Sequence, residues 1–166
     1  MDFWFSEKHT PNVKISIRID RQLYSGKSEF QRIDVFDSPE FGRFLTLDGY
    51  MMLTEKDEFI YHEMITHVPM AVHPNVKKVL VIGAGDGGVI RELTKYHDIE
   101  QIDMVEIDPL VVEVCKKYLP QTACRFDDER LNIYYEDGLR FVRFHENEYD
   151  LIIVDSTDPF GPGEGL

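Results

Sequence analysis

The sequence has 166 residues, 43% hydrophobic and 30% charged, a composition typical of a soluble globular protein. This length accommodates one ordinary domain, or a small domain with part of a larger one. The formal net charge of −13 disfavours partners such as nucleic acid or an anionic membrane surface, which require a basic footprint. No apolar run reaches the length of a membrane span and no secretory leader is predicted. With only two cysteines, we expect a cytoplasmic protein without disulfides.

Residues 13–54 show the two-residue periodicity of β-strands. ISIRIDRQLY and FQRIDVFDS alternate apolar and polar residues, with breaks at Ser25-Gly26-Lys27 and Ser38-Pro39. The Asp48-Gly49 pair between FLTL and YMML predicts a tight hairpin turn. We therefore predict an N-terminal β domain of about four antiparallel strands over residues 1–55.

A helix is predicted to follow in TEKDEFIYHEMITHVPMAVHP. Thr54 is a candidate N-cap, and Pro69 and Pro74 are expected to mark the end of the helix. Its apolar residues recur at helical spacing; they are Phe59, Ile60, Met64, Ile65 and Val68.

Strand and helix patterns alternate over the rest of the chain. The predicted strands are KKVLVIG, QIDMVEID, LNIYYED and YDLIIVDS, and the predicted helices run over residues 87–96, 109–118 and 138–144. This order predicts βαβ units in a Rossmann-like, doubly wound α/β sheet of the class I methyltransferase type over residues 56–166. Since YDLIIVD is a buried-type strand with little sequence after it, we expect a C-terminally truncated domain. A natural minimal fold is the alternative.

The stretch VLVIGAGDGGVIREL carries the spacing G-x-G-x-x-G in Gly83, Gly85 and Gly88, between a predicted strand and a helix. Glu106 ends the next strand, at the position of the usual acceptor for ribose hydroxyls. The glycine motif alone is also compatible with a chance glycine turn. Strand, turn, helix, strand and acid in this order predict a nucleoside site.

Asp86 lies inside the glycine turn and restricts the ligand. Two like charges 4 Å apart repel by about 4 kcal/mol at an effective dielectric constant of 20, so a pyrophosphate is disfavoured. A cationic nucleoside without phosphate, such as a sulfonium nucleoside of the S-adenosylmethionine type, fits better. Asp86 could also cap the following helix, and both roles are compatible.

Further acids follow the third and fourth strands. Asp137 and Gly138 in YYEDG are candidates for binding an adenine, although Asp137 is equally suited to cap a short helix. Asp155 and Asp158 in DSTDPFGPGEG could hold a diamine, one binding an ammonium and the other accepting a proton from the attacking amine. An Asx-type turn before proline is the alternative. The Pro-Gly-rich segment is predicted to be a mobile lid.

These motifs resemble the spermidine synthase family, the polyamine aminopropyltransferases. The resemblance is carried by GAGDGGVIREL, VEIDP, EDG and DSTDPFGPGEGL, and by the segment from SEFQRID to THVPM, which is similar to the β domain and linking helix of the family. It implies transfer of an aminopropyl group from decarboxylated S-adenosylmethionine to putrescine, giving spermidine and methylthioadenosine. It also implies a homo-oligomer, dimer or tetramer, and no metal, because the sulfonium supplies the electrophilic carbon.

The resemblance implies roles for individual residues. The donor nucleoside would be held by Gln31, Gly83, Gly85, Glu106, Ile107, Asp137 and Gly138. Asp86 would bind the aminopropyl ammonium, Asp155 would be the catalytic base, and Asp158 would anchor the diamine. Tyr61 and His62 would line the diamine site together with Asp86. Otherwise Tyr61 and His62 would be ordinary half-buried helix residues, and Gln31 a solvent-facing strand residue.

Three other functions are compatible with parts of the pattern. An S-adenosylmethionine-dependent methyltransferase shares the glycine turn but does not explain Asp86 or the Asp155/Asp158 pair. A nicotinamide dehydrogenase is disfavoured by Asp86. A non-catalytic assembly fragment is the third alternative, because family members continue beyond the last motif.

Overall fold

The computed structural model describes residues 1–156, which form two compact units, Met1–Glu58 and Phe59–Ser156. The first unit contains six strands: β1 (Phe3–Thr10), β2 (Val13–Ile19), β3 (Arg21–Lys27), β4 (Arg32–Ser38), β5 (Gly42–Leu47) and β6 (Tyr50–Thr54). β1 and β2 form an antiparallel hairpin, and β3 to β6 form a four-stranded antiparallel sheet in chain order.

The prediction of about four strands in this unit is wrong in number. β1 was not predicted, and ISIRIDRQLY divides at Asp20 into β2 and β3, which belong to different sheets. A two-residue period continues unchanged when the chain passes from one sheet to another, so the pattern does not reveal the division. The predicted hairpin turn is confirmed, since Asp48 and Gly49 have φ angles of 50° and 84° between β5 and β6.

The second unit is a four-stranded parallel sheet with helices. Its elements are α1 (Glu58–Val72), β7 (Lys78–Gly83), α2 (Gly88–Leu93), β8 (Gln101–Glu106), α3 (Pro109–Tyr118), β9 (Leu131–Tyr135), α4 (Gly138–Val142) and β10 (Leu151–Asp155). The strand order β10-β7-β8-β9 places the first strand of the unit between the second and the last. This confirms the predicted Rossmann-like sheet.

Both faces of the parallel sheet carry apolar side chains. On one face Val81, Ile102 and Ile153 are almost fully buried against residues of α2 and α3, including Ile90 and Val112. The opposite face packs around Leu80, Val105 and Phe141 of α4. Alternate residues of each strand therefore point to different layers, as in an α/β fold. Within residues 1–156, no helix is long and apolar enough to cross a membrane.

The boundaries of α1 differ from those predicted. Thr54 is the last residue of β6 and its hydroxyl donates to Asp57 at 2.6 Å, so it does not cap a helix that begins at Glu58. Pro69 lies inside α1 instead of ending it. The helix continues past the proline because Ile65 and Met70, on either side, both pack against the core.

The other helix boundaries agree with the predictions to different degrees. α3 has the predicted bounds and α4 is two residues shorter at its end. α2 ends at residue 93 instead of 96, and the carbonyls of Thr94, Tyr96 and Ile99 beyond it accept hydrogen bonds from Arg130. The guanidinium thereby satisfies the carbonyl of the C-cap residue Thr94 and two carbonyls of the segment that follows.

Candidate active site

The candidate site lies at the carboxyl ends of the parallel strands. Gly83 at the end of β7 pairs with Asp155 at the end of β10, and the amide of Ala84 donates to the Asp155 carbonyl at 3.0 Å. Glu106 ends β8 beside them. The sheet topology therefore brings together three acids that the sequence separates, Asp86, Glu106 and Asp155, at the edge where α/β sheets bind ligands.

Two glycines of the turn are required by contacts within the protein. Gly83 has a φ of +86°, and a Cβ on it would lie 2.0 Å from the carbonyl oxygen of Asp155. A Cβ on Gly85 would lie 2.8 Å from Oε2 of Glu106. These glycines let the turn lie directly against two of the acids, which holds the acids close to the turn.

Glu106 is buried, with 8% of its surface exposed. Its Oε1 accepts the amide of Asp108 at 2.9 Å. Burial raises the pKa of Glu106 to about 7, and the charge of Asp108 adds to this, while hydrogen bonds from the backbone of Asp108, Ile107 and Gly85 oppose it. Ile107 itself is half-buried directly after the strand. A buried carboxylate here is suited to accept hydrogen bonds from vicinal hydroxyls.

Asp86 contacts both α2 and α1. Its Oδ1 accepts the amide of Gly88 at 2.7 Å and lies 3.3 Å from Nε2 of His62. The helix-capping role is thus present, although Gly87 occupies the N-cap position itself. His62 is 2% exposed, so it is a fully buried residue and not a half-buried one.

Asp155 is paired with the residue next to His62. The hydroxyl of Tyr61 donates to Asp155 Oδ1 at 2.8 Å, whereas Oδ2 is buried and has no hydrogen-bond partner in the described part of the chain. Burial raises the pKa of Asp155 to about 6; the charge of Asp86 adds to this, and Tyr61 and His62 partly oppose it. A carboxylate in this state is a proton acceptor near neutral pH.

His62, Asp86 and Asp155 form a compact cluster of donor atoms. One atom from each lies within 4.8 Å of the other two, so the geometry accommodates a cation, whether an ammonium or a metal ion. His62 lies in α1, Asp86 follows β7 and Asp155 ends β10, so no residue spacing in the sequence indicates this cluster. The expectation that the reaction needs no metal stays a prediction.

Asp137 and Gly138 are placed by α4. Asp137 is exposed and its Oδ1 accepts the amides of Leu139 and Arg140 at 2.7 and 3.2 Å, so it caps this helix as one of the two interpretations predicted. A Cβ on Gly138 would lie 2.5 Å from Cγ2 of Ile82, so this glycine is needed for packing on β7. Their roles in binding adenine stay predictions.

Two further predicted site residues are Gln31 and Asp158. Gln31 precedes β4 in the first unit and is 8% exposed, so it is not a solvent-facing strand residue. Its role in holding the donor stays a prediction. Asp158 and the proposed lid lie outside the described residues.

One feature of the site was not predicted: neighbouring residues of α1 contact different aspartates, Tyr61 contacting Asp155 and His62 contacting Asp86. Tyr61 and Asp155 are 94 residues apart, and no spacing rule connects them. The glycine spacing likewise gives no sign that Gly88 adjoins His62, whereas a Cβ at this position would lie 2.3 Å from the His62 ring. The adjacency of Tyr and His on one helix was the only signal in the sequence.

Comparisons with known proteins agree with this arrangement. Residues 58–166 match the family model described as the spermine/spermidine synthase domain, and residues 3–55 match the spermidine synthase tetramerisation domain. Polyamine aminopropyltransferases of Alkaliphilus oremlandii and Clostridium botulinum are 72% and 74% identical over the whole chain. The chain spans 58% of the length of each of these relatives.

Solved structures are similar as well. A crystal structure of spermidine synthase in complex with the transition-state analogue AdoDATO has a TM-score of 0.93 and 51% identity, over 96% of this chain and 55% of that one. The spermidine synthase of Thermotoga maritima has a TM-score of 0.92 and 51% identity, over 95% of this chain and 55% of its own. With a family model matching well over half of its residues, the chain belongs to the spermine/spermidine synthase family.

Proposed function

We propose that the chain is an aminopropyltransferase of the spermidine synthase type, acting on decarboxylated S-adenosylmethionine and putrescine. The observation that carries the proposal is the proximity of two partly buried carboxylates, those of Asp86 and Asp155. Each is held by one residue of α1 and neither is neutralised by a lysine or arginine among the described contacts. Such a site is built to receive positive charge.

The chemistry follows from this charge. The lone pair of a neutral primary amine attacks the methylene carbon bound to the sulfonium; the new C–N bond forms as the C–S bond breaks. Sulfur leaves as the neutral thioether methylthioadenosine, and the new ammonium loses a proton. An alkyl amine has a pKa near 10 and is mostly protonated at neutral pH, so a base must take its proton before attack. Asp155, with a pKa raised to about 6, is ionised at neutral pH and fits this role.

The other predicted residues complete the donor site. Glu106 would accept the ribose hydroxyls, with Ile107 beside the base, Asp137 and Gly138 near the adenine amino group, and Gln31 as a further contact. Asp86 would bind the aminopropyl ammonium and repel the carboxylate of ordinary S-adenosylmethionine. Most of the catalytic gain would come from alignment and from carboxylates beside two cationic groups, without a metal.

The setting of the protein is part of the same proposal. A homo-oligomer, dimer or tetramer, is supported by the match of residues 3–55 to a tetramerisation domain. A cytoplasmic location, and the lack of nucleic-acid and membrane partners, are supported by the acidic charge and by the kind of substrate proposed. The alternatives are a methyltransferase and a non-catalytic fragment.

A turnover assay tests the proposal. The chain is incubated with decarboxylated S-adenosylmethionine and putrescine, cadaverine or spermidine, and methylthioadenosine is measured by chromatography. Asp155→Asn is expected to lower the rate by about 10²–10⁴-fold, because the amide cannot accept the proton. Asp98→Asn, at an exposed position three residues before β8 and so at the amino end of that strand, is the control. Near-normal rates in Asp155→Asn would contradict the assignment of the base, and methyl transfer from ordinary S-adenosylmethionine would favour the methyltransferase.

A further inference from the structure

The buried side chain of His62 contacts the carboxylate of Asp86, the residue proposed to select the donor. Its ring is 2% exposed and its Nε2 lies 3.3 Å from Oδ1 of Asp86. The same oxygen accepts the amide of Gly88 at 2.7 Å. Among the described residues, both contacts of this carboxylate therefore fall on Oδ1, and Oδ2 is the oxygen left to meet a ligand.

The ring of His62 is itself held in place. A Cβ on Gly88 would lie 2.3 Å from Cε1 and Nδ1 of His62, so the ring lies directly over the first residue of α2. The ring of Tyr61 meets it edge-on, with 5.5 Å between centroids. An imidazole with so little room has few rotamers available, and it restricts the carboxylate that it touches.

We propose that His62 is a positioning residue for donor selection, which fixes the Asp86 carboxylate so that Oδ2 faces the aminopropyl ammonium of the donor. This inference rests on the proposed function, and it adds the orienting of Asp86 to the role predicted for His62 at the diamine site. Without the imidazole, the carboxylate retains only its bond to Gly88 and rotates about its side-chain torsions. The free energy of ordering it is then subtracted from ammonium binding.

The test compares two nucleosides that differ in the group Asp86 would hold. Decarboxylated S-adenosylmethionine carries the aminopropyl ammonium on a sulfonium, and methylthioadenosine is a neutral thioether that lacks the whole aminopropyl group. His62→Leu removes the ring nitrogens, His62→Gln keeps a donor amide, and Glu63→Gln changes an exposed neighbour on α1 as a control. Affinities are measured by isothermal titration calorimetry, and thermal unfolding confirms that each variant is folded.

We expect His62→Leu to lower the affinity for decarboxylated S-adenosylmethionine about tenfold, the usual effect of losing one charge-assisted contact. The affinity of His62→Leu for methylthioadenosine should stay within about twofold of wild type. His62→Gln should recover most of the affinity lost for decarboxylated S-adenosylmethionine. Gly88→Ala, whose added Cβ would displace the His62 ring, should also lower the affinity for decarboxylated S-adenosylmethionine more than that for methylthioadenosine.

Some results would overturn this inference but not the proposed function. One is that His62→Leu loses affinity equally for both nucleosides, which indicates a merely structural role; another is that it loses affinity for neither. The inference would also be overturned if His62→Gln bound decarboxylated S-adenosylmethionine as weakly as His62→Leu does. A wild-type chain that binds decarboxylated S-adenosylmethionine no more tightly than S-adenosylmethionine would overturn the proposed function, and this inference with it.

Discussion

At the scale of single residues, the space beside a glycine determines how closely two strands of the site approach. Gly83 and Gly49 both have positive φ angles, +86° and +84°, but their surroundings differ. A Cβ on Gly83 would lie 2.0 Å from the backbone oxygen of Asp155, whereas a Cβ on Gly49 would meet nothing within 4 Å. The pair separates the cost of the backbone angle from the cost of the clash.

We predict that Gly83→Ala destabilises the chain by about 3 kcal/mol or more, since it adds a clash with backbone to the strain of a positive φ. Gly49→Ala should cost about 1 kcal/mol, the strain alone. Urea unfolding at neutral pH measures both. Equal losses in the two variants would show that the approach of β10 to the glycine turn imposes no constraint of its own.

A second residue-scale prediction concerns the pH dependence that Glu106 confers. Its pKa is raised to about 7 in the folded chain, from an ordinary value of 4.5, chiefly by burial. The folded state therefore keeps this proton to higher pH than the unfolded state does, so the contribution of Glu106 to stability falls as pH rises from about 4.5 to about 7. The full effect is about 3 kcal/mol.

Glu106→Gln resembles the protonated form and does not titrate. Relative to wild type, this variant should gain stability as the pH is raised from about 5 to about 8, by up to about 3 kcal/mol. Denaturant unfolding at several pH values measures the difference. Glu113→Gln, an exposed acid of α3, is the control and should stay within about 0.5 kcal/mol of wild type. A constant difference for Glu106→Gln would contradict the raised pKa.

At the scale of elements, a buried ionic network joins α1 to α2 away from the site. Glu92 is 1% exposed; it accepts Nε2 of His67 at 2.8 Å and Nε of Arg91 at 2.9 Å, and it also pairs with Lys95. Burial by itself would raise the pKa of Glu92, but the hydrogen bonds and charges of Lys95 and Arg91 together outweigh it and lower that pKa. The network thus favours the ionised carboxylate.

We predict that Glu92→Gln costs about 3 kcal/mol of folding free energy at neutral pH, because it removes the buried charged acceptor that His67, Arg91 and Lys95 share. A carboxylate with a lowered pKa stabilises the fold above its unfolded value and loses that effect as the pH falls below about 4.5, so the difference should narrow there. The control is Glu100→Gln, which breaks the exposed pair with Lys77 at 3.5 Å and should cost under about 1 kcal/mol. Chemical unfolding would contradict the prediction if the two substitutions cost the same.

The elements of the second unit were largely predictable because each has a local cause. Four apolar runs give the four strands, and Asp108 and Asp137 cap α3 and α4 through their own side chains. The end of α2 was not predictable, because the side-chain hydrogen bonds that hold the segment after it come from Arg130, more than 30 residues away. The continuation of α1 past Pro69 likewise depends on packing, which propensity does not include.

The same division holds for the candidate site. The rule that parallel strands end at one edge predicts that Asp86, Glu106 and Asp155 meet. What each acid touches was not predictable, because α1 enters from a different part of the chain and supplies Tyr61 and His62. Distances between side chains on separate elements are set by packing, and no residue spacing encodes them.

At the scale of the whole molecule, each unit exposes apolar side chains that could mediate association. The β1–β2 hairpin exposes Phe3 and Trp4, at 59% and 58%. At the edge of the parallel sheet, β10 exposes Ile152 and Val154, at 52% and 57%. Exposed apolar patches of this kind mark interaction surfaces, and the match of residues 3–55 to a tetramerisation domain favours the hairpin.

We predict that association runs through the hairpin. Trp4→Ser should shift the chain to smaller species by raising the dissociation constant about tenfold or more, because a buried aromatic side chain is a frequent hot spot. Ile152→Thr, which removes a comparable apolar side chain from the edge of β10, is the matched control and should leave the distribution of species unchanged. Sedimentation velocity over a range of chain concentrations measures both. If Ile152→Thr dissociates the assembly and Trp4→Ser does not, the chains meet through the parallel sheet instead.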